Sequence, residues 1–155
     1  MTIDFTTTRQ AIKRHLSIIG KRLYDKDGKN LFSNITTSTA EDPIFEQYMA
    51  AGAQNVEALL RPLVTAYSTD TQAITISLAN TRGTGDFDAR CGEMINTYIT
   101  LFSVGEYLMA THPELAEKYR ADAANALLSV QLYAFHKDAP QASASSYNDI
   151  NGTTT

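Results

Sequence analysis

Residues 71–78 hold the one stretch of this chain whose apolar side chains recur at every second position. Ile74, Ile76 and Leu78 alternate there with Thr75 and Ser77, the period of a strand with one buried face. A lone strand constrains a fold severely, because unpaired strand backbone is costly when buried and prone to association when exposed. The rest of the sequence offers it no obvious partner. Pairing must come from residues 31–37, from the C-terminal residues, or from a neighbouring molecule by strand addition.

Around that strand the chain has helical period. The first helix is expected to start in the Thr6-Thr7-Thr8 cluster, whose hydroxyls suit free backbone N–H groups. Ile12, Leu16, Ile19 and Leu23 form its buried face, and Asp25-Lys26-Asp27-Gly28 ends it as a turn. Residues 29–39, rich in Ser, Thr and Asn, read as an ordered loop. Asp42 as cap and Pro43 at the first helical position open a second helix. Its stripe of Phe45, Met49, Gly52, Val56, Leu59, Leu60, Leu63 and Tyr67 predicts a helix kinked, not stopped, at Pro62. After the strand, residues 80–85 read as a flexible loop. A third helix then runs from near Asp86 through Cys91, Met94, Ile95, Tyr98, Leu101, Phe102 and Leu108. Thr111-His112-Pro113-Glu114 is both a proline boundary and a capping box. It introduces a fourth helix with Leu115, Tyr119, Ala123, Ala126, Leu127, Val130 and Tyr133. The fold class is therefore mainly α: a bundle of about four helices with a small strand and loop insertion and an extended C-terminal tail.

Composition sets the outer bounds. The chain has 155 residues, 43% hydrophobic and 19% charged, which suits one globular domain. We assign it to residues 1–137, with residues 138–155, nearly all small and polar, as a tail too poor in apolar surface to order alone. No run approaches the roughly 18 apolar residues of a membrane span, and the N-terminal residues lack the features of a signal peptide. Cys91 is the single cysteine, so an internal disulfide and a paired-thiolate metal site are excluded. The net charge of -4 hides an asymmetry: residues 1–30 carry +4 and residues 31–155 carry -8. A basic first segment on an acidic remainder suits head-to-tail contact between copies as well as it suits nucleic acid. A plain solvated helix face is the simpler account.

Motifs for chemistry fail one by one. Gly83-Thr84-Gly85 follows a strand and precedes a helix, but Asp88 stands where a dinucleotide loop needs its third glycine. Asp86 and Asp88 would also repel a phosphate at that helix start. Asp25-Lys26-Asp27-Gly28 has its glycine too early for a calcium loop, a lysine at a ligand position and no closing glutamate. His15, His112 and His136 lie in separate elements, and no glutamate has a histidine three residues later. Cys91 lies on a helical stripe with no adjacent histidine, as a buried thiol would. The basic segment has only Phe5, Tyr24 and Phe32 to stack on bases, a poor platform for single strands. The expectation is a protein that is not an enzyme and takes no cofactor or metal.

The order of elements resembles the head-completion connector (adaptor) proteins of tailed bacteriophages. The likeness covers roughly residues 8–136. It rests on the acidic-Pro start of the second helix (Glu41-Asp42-Pro43-Ile44-Phe45-Glu46 through Leu59-Leu60-Arg61-Pro62-Leu63), the polar strand-and-loop insert, and two closing helices. The closing pattern, Tyr98-Ile99 to Tyr107-Leu108 and then His112-Pro113-Glu114-Leu115-Ala116-Glu117-Lys118-Tyr119, is similar to ring proteins of crAss-like phages. The resemblance implies a dodecameric homo-oligomeric ring at the head-tail junction of a virion, made in the host bacterial cytoplasm. Portal protein would lie above it and tail or other ring proteins below. DNA would pass through without sequence-specific binding, and an acidic balance suits a channel that does not hold it back. No active-site residues come with such a family.

For subunit contacts the expected residues are Arg9, Lys13 and Arg14 in the basic segment, Thr71, Ile74, Ile76 and Leu78 in the unpaired strand, and Tyr107 as an off-stripe aromatic. For the channel-facing loop they are Asn80, Arg82, Gly83 and Gly85. The alternatives are a small helical protein-binding module without catalytic activity and an enzyme whose site is dispersed along the chain.

Overall fold

The computed structural model describes residues 1–20, 39–70 and 72–136. In chain order the elements are β1 (Thr2–Asp4), α1 (Phe5–Gly20), a 3-10 turn (Thr39–Glu41), α2 (Asp42–Leu60), β2 (Val64–Thr69), β3 (Ala73–Leu78), α3 (Phe87–Leu108) and α4 (Pro113–Phe135). The fold is mainly helical, with four helices among the described residues, as the sequence leads one to expect; where it leads one to expect a single strand, there is a small three-stranded sheet. The expected turn at residues 25–28, the loop through residue 38, Thr71 and the tail lie outside the described residues.

The sheet overturns the argument from an unpartnered strand. Its order is β1-β3-β2, all neighbours antiparallel, so β3 is central and both its edges are paired. One partner is the N-terminus itself, with Thr2, Ile3 and Asp4 opposite Thr75, Ile74 and Ala73. The Met1 ammonium donates to the Ile76 carbonyl at 2.8 Å. The other partner is β2, which the sequence places inside the second helix. Pro62 stops α2 rather than kinking it: α2 ends at Leu60, and Leu63 N–H bonds back to the Leu60 carbonyl at 2.7 Å as the chain turns. A proline has no N–H to continue the ladder, and the β-branched run that follows gains more by pairing with β3. Asp70 closes the hairpin by accepting from the N–H groups of Gln72 and Ala73, both at 2.7 Å.

Helix starts also differ from the caps expected. Asp4, not the threonine cluster, caps α1: its carboxylate accepts from Thr7 N–H at 2.7 Å, and these bonds hold its pKa below the ordinary aspartate value. Thr8 instead turns inward and donates to Asn96 on α3 at 2.9 Å. Glu41, not Asp42, stands at the cap of α2 and makes no side-chain cap bond; the Asp42 carboxylate sits between Arg9 and Lys13 of α1. His112 stands at the cap of α4 and likewise makes no side-chain cap bond.

The core is one cluster, and α3 is its hub, touching α1, α2 and α4. Ile95, Ile99, Val104 and Leu108 of α3 meet Ile12 and Leu16 of α1, Phe45, Met49 and Val56 of α2, and Ala116, Ala123, Val130 and Ala134 of α4 in that cluster, all buried. Gly105 lets α3 and α4 approach closely: a Cβ there would stand 3.2 Å from Arg120 Cγ and 3.4 Å from Arg120 N. Gly52 does the same for α2 against Phe102, at 3.2 Å.

Candidate functional site

The residues expected at subunit contacts divide three ways. Ile74, Ile76 and Leu78 are core, with exposures of 0%, 0% and 8%. Exposing a buried side chain of this size costs about 2 kcal/mol, so β3 offers no face to another copy, and with β1 and β2 on its two edges it has no free backbone for strand addition; this corrects that reading. Arg9 and Lys13 are engaged within the molecule. Arg9 lies 2.9 Å from Glu46 and 3.4 Å from Asp42, and Lys13 lies 2.5 Å from Asp42. These partly buried pairs bind α1 to α2. Tyr107 is also an inward contact. Its hydroxyl donates to Glu41 at 2.8 Å, its ring packs on Phe45 at 5.2 Å, and burial followed by the Glu41 bond pushes its pKa up. Among the described ones of these residues, Arg14 alone is exposed.

Residues 80–85 form a tied turn, correcting the expectation of a flexible loop. The Asn80 side-chain carbonyl accepts from Arg82 and Gly83 N–H groups at 3.1 and 2.8 Å, and its amide donates to the Thr84 carbonyl at 2.8 Å. Gly83 takes a φ of 70°, which favours glycine. Thr81 donates to the Ala134 carbonyl at 2.5 Å, and the Arg82 guanidinium lies 4.3 Å from the centre of the Tyr133 ring. The turn that carries Asn80, Arg82, Gly83 and Gly85 is thus pinned to the C-terminal end of α4.

That end of α4 is the unusual surface. The first part of the helix carries Glu114, Glu117, Lys118, Arg120 and Asp122, whereas residues 123–136 contain no Asp, Glu, Lys or Arg. Yet this stretch is not buried all round. Val130 and Ala134 face α3 and are fully buried, while Leu128, Leu132 and Phe135 are 50%, 65% and 42% exposed. They recur at steps of four and three, one face of a helix. Depletion of charge around exposed large apolar side chains is the composition of an interface centre. Reading the chain by its core stripe passes over these residues, because they lie off that stripe; the missing charge was the available signal.

A second surface lies at the other half of α4. α1 and α4 both pack on α3 but barely on each other, which leaves a groove of about 290 Å³ lined by His15, Ile19, Leu101, Leu115, Lys118, Tyr119 and Asp122. His15 meets the Tyr119 ring edge-on at 6.2 Å. Burial, and then the neighbouring Arg14, lower its pKa. Outside the groove, Ile18 is 45% exposed.

Among the described residues no three His, Cys, Asp or Glu side chains form a group that could hold a metal ion. Among the same residues no helix is long and apolar enough to cross a membrane. No family model, curated protein or solved structure matches the chain.

Proposed function

We propose that this chain is a structural virion protein that assembles with copies of itself into a dodecameric ring at the head-tail junction of a tailed phage, linking portal to tail. The observation that carries this reading is the charge-free second half of α4, with Leu128, Leu132 and Phe135 in solvent. Apolar side chains left in water stabilise nothing where they stand, whereas an interface between subunits would remove them from it. The likeness in element order to connector and ring proteins supplies the particular assembly. In such a ring, the turn bearing Asn80, Arg82, Gly83 and Gly85 sits beside the subunit contact and faces the DNA passage.

The test is the mass of the purified protein, alone and mixed with the portal protein of the same virus, followed by negative-stain microscopy. Rings on their own or on the portal are the expected result. A chain that stays monomeric in both cases contradicts the proposal. Stoichiometric capture of the monomer by a different protein, with no ring, would instead make it a binding module.

A further inference from the structure

The two apolar surfaces of α4 differ in kind. The row formed by Leu128, Leu132 and Phe135 is convex, and it spans seven residues, about 10 Å at the helical rise. The groove between α1 and α4 is concave, and its α4 wall from Leu115 to Asp122 also spans seven residues. Both lie on one helix but at opposite ends, so a single molecule cannot bring them together. We infer that the Leu128, Leu132 and Phe135 row of one copy seats in the groove over Leu101, Leu115 and Tyr119 of the next. This inference rests on the self-assembly reading and names the contact by which it occurs.

Two arguments favour this occupant. First, contact between unlike surfaces repeats head to tail and closes into a ring where its rotation permits, as the self-assembly reading requires, whereas the apolar row meeting its own copy would stop at a dimer. Second, self-pairing of the row is too short for a coiled coil: the next positions upstream on that face are Asn125 and Ala121, and a stable seam needs several heptads. The contact is small: three side chains about half exposed fall well short of the roughly 800 Å² that a stable pair buries per partner. Two copies therefore hold each other weakly, and a closed ring or a templating portal supplies the remainder through multiple simultaneous contacts.

The experiment uses the full chain with Leu132→Asp in the row, Ile18→Asp beside the groove and Leu115→Ser within it, each checked for the wild-type circular dichroism spectrum. Association is read by sedimentation velocity and native mass spectrometry across protein concentration. Each variant alone is expected to lose higher assembly, with at least a tenfold weaker association. Mixing Leu132→Asp with a groove variant should restore one contact and give a two-copy species that grows no further. The contact is overturned if Leu132→Asp assembles like wild type, or if groove variants assemble normally while Leu132→Asp does not, which indicates row-to-row pairing. Wild-type protein that forms these contacts in open chains or pairs but never rings, even with portal, keeps the contact and removes the ring. Wild type that associates neither alone nor with portal removes both.

Discussion

Cys91 is fully buried near the start of α3, and burial, aided by Asp88, pushes its thiol pKa up to about 11. Since the thiolate is the reactive form, iodoacetamide is expected to leave folded protein unlabelled for hours and to react only in denaturant. Rapid labelling of native protein, read by mass, would contradict that burial. His15 has the opposite charge logic. Burial, and next the Arg14 cation, disfavour its protonated form, so its pKa in the folded chain lies below the ordinary value of about 6.5. The unfolded chain then binds the proton first. Its contribution to stability is present above about pH 6.5 and is lost as pH falls through the lowered folded value. Melting temperature should therefore fall over that window in wild type and fall less in His15→Gln; parallel curves would assign the effect elsewhere. At Tyr107 the hydroxyl bond to Glu41 ties the entry of α2 to α3. Tyr107→Phe keeps the ring on Phe45 and leaves the Glu41 carboxylate without that donor, at a cost of about 1 kcal/mol in chemical denaturation.

Among the elements, α3 and α4 are held by their closest approach. A branched side chain at Gly105 meets the backbone of α4 beside Arg120 as well as the Arg120 stem, so Gly105→Val should destabilise by about 1–3 kcal/mol through overpacking. An unchanged denaturation midpoint would mean that the two helices part without cost. The same scale shows what could be read in advance. The stripes of α1, α3 and α4 and the alternation of β3 follow from apolar spacing alone. The sheet did not, because two rules conflicted at residues 61–69. Leu63 and Tyr67 extend the helical spacing of α2, while Pro62 and the Val64-Thr65 pair argue for a break, and a strand already waiting in β3 decided the matter. β1 was illegible for another reason. Three residues carry no period, and Thr2–Asp4 becomes a strand only because β3 has an edge to offer it.

For the whole molecule, the candidate surface was half legible. The basic residues of α1 drew attention by their charge, yet Arg9 and Lys13 are absorbed by Asp42 and Glu46 on α2, a pairing across elements that no local pattern discloses. The α4 row announced itself only by what surrounds it, a stretch of helix without formal charge. Its exposure required the packing of α4 on α3 to be known. The most direct measurement of the account is the assembled mass of wild-type protein with portal, set beside that of Leu132→Asp. Rings with wild type and single copies with the variant are expected. Single copies of both, or rings of both, would contradict the claim that this helix face is where the molecule meets its neighbour.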